Sequence, residues 1–319
     1  TYVSLSVCGG ENFVLETAEL QQSYEIPVLL SREAVTLSEV SLTDKNCLTL
    51  DYAAFAFGEE PFSEEMPVLH IIDKLYENTA SSAEIVRLRY SFCCKEVSDD
   101  IHPTMAVEDR ECMDIQCNEK SVLSRRIGWW IDRHIGEYDI DGAMQAGENE
   151  IILTYRLPKS ENTVEVGKVF ETERNRFFYP LEPDNIYIRG NFDVNTTGQI
   201  KWKPNYYAVS GGCFYIDRLS PKHPGDFTPQ GLWFYRGGCS CTFSVKGQKG
   251  VKTCLSIKDF KAVAVEWKTE YGSGLLFQPP FEVDLTDFIS SDQETVVTLR
   301  LVGNNRNLMG PHHHINGEN

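Results

Sequence analysis

Residues 139–155 read Asp139-Ile140-Asp141-Gly142-Ala143-Met144-Gln145-Ala146-Gly147-Glu148-Asn149-Glu150-Ile151-Ile152-Leu153-Thr154-Tyr155. Residues 284–301 follow the same plan: Asp284-Leu285-Thr286-Asp287-Phe288-Ile289-Ser290-Ser291-Asp292-Gln293-Glu294-Thr295-Val296-Val297-Thr298-Leu299-Arg300-Leu301. At one constant offset of 145, Asp139 falls on Asp284 and Met144 on Ile289. In each copy an Asp heads a short turn, where its side chain accepts from exposed N–H groups. A polar stretch follows, Gly147-Glu148-Asn149 in the first copy, and hands the chain to a run suited to a buried strand. Identity between the copies is low, so the repeat is one of pattern, and its physical content is a β-sandwich unit used twice.

The pattern extends outward from both stretches. The first copy starts near Val86 and includes strand-like runs at Tyr90-Ser91-Phe92, 113–118 and Trp129-Trp130-Ile131-Asp132. The second starts near Phe234 and includes Cys241-Thr242-Phe243-Ser244-Val245, 263–268 and Pro279-Pro280-Phe281-Glu282-Val283. Short runs rich in Val, Ile, Tyr, Phe and Thr, bounded by Gly, Asn, Asp and Pro, dominate the chain. They include 85–92, 151–155, 186–188 and 296–301. Apolar and polar residues alternate over 87–92, as one buried sheet face requires. The best helical segment is 66–76, and it is short.

A length of 319 residues suits two domains. The expected division is an N-terminal strand segment over 1–65, a first sandwich over 66–165, and a connector plus second sandwich over 166–319. Residues 1–65 read either as the tail of a preceding domain or as edge strands of the first sandwich. The connector carries Phe177-Phe178-Tyr179-Pro180 and Trp202-Lys203-Pro204-Asn205-Tyr206-Tyr207. It is too aromatic for a flexible linker and is expected to pack along both sandwiches.

Lys and Arg number 30 against 47 Asp and Glu, a net charge of −17. A chain this acidic repels phosphate backbones and anionic lipid, so nucleic acid and membrane are not its main partners, whereas neutral sugars are not excluded. No run of 18 apolar residues is present. The start, Thr1-Tyr2-Val3-Ser4-Leu5-Ser6, lacks the features of a signal peptide and an initiator Met, so the chain is expected to begin inside a longer protein, with a processed mature form as the alternative. Several of the ten cysteines alternate with polar residues in strand-like runs, as in Cys239-Ser240-Cys241. That usage fits reduced core thiols and a cytoplasmic setting better than disulfides or zinc.

Several phrases, in order, resemble a known family. They are Asn46-Cys47-Leu48-Thr49-Leu50-Asp51-Tyr52, Gly128-Trp129-Trp130-Ile131-Asp132, Gly147-Glu148-Asn149-Glu150-Ile151, Ile188-Arg189-Gly190-Asn191-Phe192-Asp193-Val194, Phe281-Glu282-Val283-Asp284-Leu285-Thr286-Asp287 and Asn305-Arg306-Asn307-Leu308-Met309-Gly310-Pro311-His312-His313. Together they resemble the C-terminal, non-catalytic part of large bacterial glycoside hydrolases, whose modules are similar to the sugar-binding domain of family 2 glycoside hydrolases. The resemblance implies an all-β fold of two jelly-roll, galactose-binding-like β-sandwiches with an aromatic-rich connecting segment. It also implies a catalytic barrel upstream in the same polypeptide as partner. Asn191 and the Cys-rich strands depart from the usual pattern of that family.

Sugar sites combine an aromatic face with carboxylates or amides for hydroxyl groups. Trp129, Trp130, Asp132 and Glu137 cluster in what reads as a loop-like stretch, and Trp267, Glu270 and Tyr271 flank an apparent turn at Gly272-Ser273-Gly274. These are the candidate contacts for an oligosaccharide or polysaccharide. One tryptophan of each set is equally suited to a core. Pairs such as Asp139 with Asp141, or Asp284 with Asp287, sit at turn-like positions where capping is the plain role, so no catalytic residue is assigned. His312-His313-His314 reads as a structural turn, with a metal site or a tag remnant as alternatives. No cofactor is expected, although Asp-rich sandwich loops leave room for a structural calcium. Gly-x-Ser-x-Gly and phosphate-cradling glycine loops are absent. The Asn195-Thr196-Thr197 sequon matters only in a secreted eukaryotic protein. Three readings stay open: an accessory region of a glycoside hydrolase, a stand-alone carbohydrate-binding protein, and a complete β-sandwich hydrolase or lyase.

Overall fold

The computed structural model describes residues 2–16, 21–37, 39–77, 84–157, 181, 183–204, 206–258 and 261–314. Apart from one α-helix, Val68–Glu77, and four short 3-10 turns, the regular elements of the described residues are strands. The chain is all-β, as its alternation requires. The strands gather into two compact units, each with its own apolar core.

The larger unit comprises Lys45–Ser220, Gly231–Phe234 and Leu308–Asn319. Its five-stranded sheet runs Arg126–Trp130, Asp132–Asp139, Thr104–Glu108, Ile186–Gly190, Asn46–Leu50. A second, eight-stranded sheet runs Lys120–Ser121, Cys112–Cys117, Gly147–Arg156, Ile85–Cys94, Phe214–Arg218, Phe192–Thr196, and Tyr52–Phe57 also pairs with Ile85–Cys94. Strand Ile85–Cys94 shows how sequence builds the layer. Val86, Leu88, Tyr90, Phe92 and Cys94 point inward and share a core with Met105, Tyr138 and Ile188 of the other sheet. Full burial of an aliphatic side chain of this size stabilises by about 1.5–3 kcal/mol.

The smaller unit comprises Thr1–Asp44, Pro221–Gln230 and Tyr235–Asn307. One sheet runs Gln21–Ala34, Tyr2–Glu16, Lys252–Lys258, Glu282–Asp284, and the other Gly272–Leu276, Ala264–Thr269, Thr295–Val302, Cys239–Val245, Glu39–Leu42. Leu255 and Ile257 of the first sheet share a core with Phe243, Val265, Trp267, Val297 and Leu299 of the second.

The internal repeat is a crossover between sheets, present once in each unit. Asp139 Oδ1 accepts from the Asp141 N–H at 2.9 Å, and Asp284 Oδ1 accepts from the Thr286 N–H at 3.0 Å. The next residues, Ile140 and Leu285, are fully buried, and Met144 and Ile289 are buried beyond them. Strand Asp132–Asp139 and strand Gly147–Arg156 lie in different sheets of one unit, and Glu282–Asp284 and Thr295–Val302 do the same in the other. The Asx turn lets the chain leave one layer and drop its next apolar residue into the core.

The units depart from the linear division into 1–65, 66–165 and 166–319. Segment 1–65 is shared: Asn46–Leu50 and Tyr52–Phe57 pair within the larger unit, whereas Tyr2–Glu16, Gln21–Ala34 and Glu39–Leu42 pair within the smaller. The segment read as a connector supplies Ile186–Gly190, Phe192–Thr196 and Phe214–Arg218 to the sheets of the larger unit. Alternation reveals which face of a strand is buried but not which strand hydrogen-bonds to it, so pairings distant in sequence were invisible. The aromatic run at 177–180 lies outside the described residues.

Candidate functional site

The residues singled out in the first cluster lie on a hairpin of the larger unit, not on a loop. Arg126–Trp130 pairs antiparallel with Asp132–Asp139, and Trp130 stands opposite Asp132 with Ile131 alone at the tip. Ile131 has φ +66°, a conformation that β-branched residues avoid. The register shifts between Trp129 and Trp130, which marks a bulge, and a bulge re-aims the side chains beside it. Successive side chains of a strand point to opposite faces, and the two indoles have opposite fates: Trp129 is 56 % exposed and Trp130 is 7 % exposed. Ile127 and Ile131 are also exposed, flanking Trp129 along the sheet edge.

Behind Trp129, the hairpin is locked from inside. The Arg189 guanidinium lies over the Trp130 ring, 4.5 Å from its centroid. Its Nη1 donates to Glu137 Oε1 at 2.5 Å, and the Thr104 hydroxyl donates to the same oxygen at 2.8 Å. Tyr187 of strand Ile186–Gly190 packs on Trp130, ring centroids 5.2 Å apart. A second lock sits on the same hairpin. Arg126 Nε and the Tyr138 hydroxyl both donate to Asp109 Oδ2 at 2.8 Å. Burial, then the bond to Asp109, pushes the Tyr138 hydroxyl above its ordinary range. A side chain at Gly136 would strike the Asp109 carboxylate, so glycine makes room for this pair.

Asp132 is exposed, and its Oδ1 accepts from the His134 N–H at 2.9 Å. That N–H, then the His134 ring, holds the Asp132 carboxyl below the usual range. Of the four residues predicted for this cluster, the interior gathers Trp130 and Glu137, and the hairpin surface keeps Trp129 and Asp132. Arg189, which joins Trp130 to Glu137, was not singled out. The one signal for it was an Arg in a run otherwise suited to a buried strand, Ile186-Tyr187-Ile188-Arg189.

The second cluster separates. Trp267 is 5 % exposed and stacks edge-to-face on Phe288 at 5.0 Å inside the smaller unit's core. Glu270 and Tyr271 are exposed at the turn that follows. That turn is not Gly272-Ser273-Gly274, which belongs to strand Gly272–Leu276, with Thr269 paired to Gly272 across Glu270 and Tyr271. The glycines serve packing: a Cβ at Gly274 would lie 2.6 Å from Trp267 Nε1, and one at Gly272 would lie 2.6 Å from the Phe288 ring. Glycine in a strand often marks such a close approach. The Trp267 indole packs in the core against the close-approaching Gly274.

His312–His314 is a short strand pairing in parallel with Tyr206–Ser210, and the His312 ring lies 4.4 Å from the Tyr206 ring. Among the described residues, no group of three or more His, Cys, Asp and Glu is placed to hold a metal ion. The nine cysteines whose side chains are described are free thiols. Burial pushes Cys94 and Cys117 each up to about 11.

No family model matches the chain. No curated protein matches it either. Among solved structures, the chain is similar to a β-D-glucuronidase from Dictyoglomus thermophilum, with 13% identity over 75% of this chain and 43% of that one, at a TM-score of 0.29. It is also similar to a β-glucuronidase from Ruminococcus gnavus, with 9% identity over 84% of this chain and 40% of that one, at a TM-score of 0.29. A β-D-mannosidase from Dictyoglomus thermophilum gives 10% identity over 84% of this chain and 31% of that one, at a TM-score of 0.28. The chain thus spans well under half the length of each of these enzymes.

Proposed function

We propose that this chain is an accessory, non-catalytic β-sandwich region of a glycoside hydrolase, with jelly-roll units that support a catalytic domain and present an oligosaccharide-contacting edge. The observation that carries the reading is the split between Trp129 and Trp130. One indole is anchored by Arg189 and Glu137, and its neighbour is held out in water on the same hairpin. An aromatic ring fixed in that way covers the apolar side of a sugar ring at low entropic cost. Three of the acidic groups on and beside the hairpin are engaged in holding it together, which favours support over chemistry. Glu137, Asp109 and Asp139 are each bonded to an arginine, respectively Arg189, Arg126 and Arg125. A cytoplasmic setting, with the cysteines reduced, belongs to the same proposal.

The test is calorimetry of this chain against a panel of oligosaccharides, with hydrolysis of matching nitrophenyl glycosides run in parallel. Binding without turnover, lost in Trp129→Ala while the fold survives, supports the proposal. Turnover by this chain alone overturns it in favour of a complete β-sandwich hydrolase.

A further inference from the structure

The larger unit has an open cleft of about 760 Å³ on its eight-stranded sheet, away from the Trp129 hairpin. Its floor is the outward face of two paired strands: Ser91 stands opposite Glu150, and Cys93 opposite Glu148. Inward residues of the same strands, such as Phe92 and Ile151, are buried in the core. One end of this face is already covered. Phe62 lies under the guanidinium groups of Arg87 and Arg89, 4.9 and 4.6 Å from its ring centroid. Beyond Phe62 the floor opens, with Glu65, Glu119 and Cys213 among its walls.

One wall is braced by amides. Asn118 Nδ2 donates to Asn149 Oδ1 at 2.8 Å, and the same oxygen accepts from the Gln145 N–H at 2.8 Å. Asn149 Nδ2 donates to the Gln145 carbonyl at 2.8 Å, and Asn118 Oδ1 accepts from the Glu150 N–H at 2.9 Å. The side chains in front of this frame, Glu119, Gln145 and Glu148, are exposed to the cleft. Four carboxylates line the cleft, from Glu65, Glu119, Glu148 and Glu150, and no Lys or Arg is among its described lining residues. Among the described residues, Glu150 is the one of the four in an ion pair, with Arg89 at 3.7 Å. Burial, then Cys213 and Glu148, raises the Cys93 thiol on the floor.

We propose that this cleft is a saccharide site selective for sugars bearing a free amino group, and this rests on the carbohydrate reading above. Carboxylates and amides accept and donate to hydroxyls at fixed positions. A concave acidic surface attracts an ammonium group and repels a uronate or a sulfate. The two thiols in the cleft report on its occupancy without any substitution.

The experiment measures binding of a fully deacetylated glucosamine tetramer, its N-acetylated counterpart and spermidine, alongside alkylation of Cys213 by iodoacetamide followed by mass spectrometry. The expected result is tetramer binding at least tenfold tighter for the free amine, slowed alkylation of Cys213, and roughly tenfold weaker binding in Glu119→Gln/Glu148→Gln. Trp129→Ala should leave this protection intact. Equal binding of the acetylated sugar, or no protection of Cys213, overturns the inference. Spermidine binding as tightly as the tetramer overturns it as well, since the cleft would then read charge alone. Oligosaccharide binding that depends on Trp129 without protecting Cys213 sinks this inference and leaves the function proposed above standing.

Discussion

Arg189 and Glu137 are 52 residues apart in sequence and meet inside the larger unit, with Nη1 donating to Oε1 at 2.5 Å. Their side chains are 8 % and 16 % exposed, so both charges have left most of their water. Such a pair contributes little net stability over a well-packed apolar substitute, but losing one partner strands the other. We expect Glu137→Gln and Arg189→Met each to destabilise by about 3–5 kcal/mol, and Glu137→Leu/Arg189→Met to recover most of that. Urea denaturation followed by Trp fluorescence checks this. Single variants within about 0.5 kcal/mol of the parent would show that the pair is a surface contact.

The two adjacent tryptophans should respond oppositely. Trp130→Ala removes a buried ring and should cost about 3–5 kcal/mol. Trp129→Ala should leave stability within about 0.5 kcal/mol, because its ring stands in water, and should abolish saccharide binding by the hairpin. Thermal unfolding and calorimetry on both variants separate the effects. A Trp129→Ala protein that binds as the parent does would dismiss the hairpin as a sugar contact.

Ile131 at φ +66° holds a conformation that a β-branched residue adopts at a cost of about 1–2 kcal/mol. Ile131→Gly should therefore raise stability, by up to about 1 kcal/mol after the added freedom of the unfolded chain is set against the relieved strain. Its exposed side chain adjoins Trp129, so the same variant should weaken saccharide binding. A loss of stability in Ile131→Gly would show that the tip is held by packing.

Asp284 carries a pH dependence. Burial raises its carboxyl, but the Thr286 hydroxyl and N–H and the Lys252 ammonium outweigh burial and hold it below the ordinary carboxylate range. A depressed carboxyl contributes stability above its unfolded value of about 3.9, and that contribution fades as pH falls through the folded value. Hydrogen exchange over residues 282–289 should therefore quicken between about pH 4 and pH 2 more in the parent than in Asp284→Asn. Equal acid sensitivity in both proteins would place the dependence elsewhere.

Much of the local structure was legible in the sequence. The alternation of 87–92 gave the inward face of Ile85–Cys94, and the Asp-turn-strand pattern gave both crossovers with their buried followers, Ile140 and Leu285. The helix expected over 66–76 is Val68–Glu77, preceded by a short strand at Met66–Pro67. Less could be read of the site. Gly272 and Gly274 looked like a turn because close approach of a ring and the freedom of a turn both call for glycine. Trp267 and Tyr271 looked like one cluster because spacing in sequence does not say that one side chain enters the core while the other leaves it.

By itself the sequence determined that this chain is all-β, which faces of its strands are apolar, and where Asp-headed turns lead into buried strands. Those properties follow from period-two alternation and turn chemistry, which act over a few residues. Only the tertiary structure decided that Asn46–Leu50 joins the larger unit while Glu39–Leu42 joins the smaller. Only there does Arg189 find Glu137, and only there is Trp130 the indole that faces the core and Trp129 the one that faces out. The physical reason is that strand partners are chosen by hydrogen bonds and burial between distant segments. A one-residue shift in register moves a side chain from core to solvent without altering the local pattern.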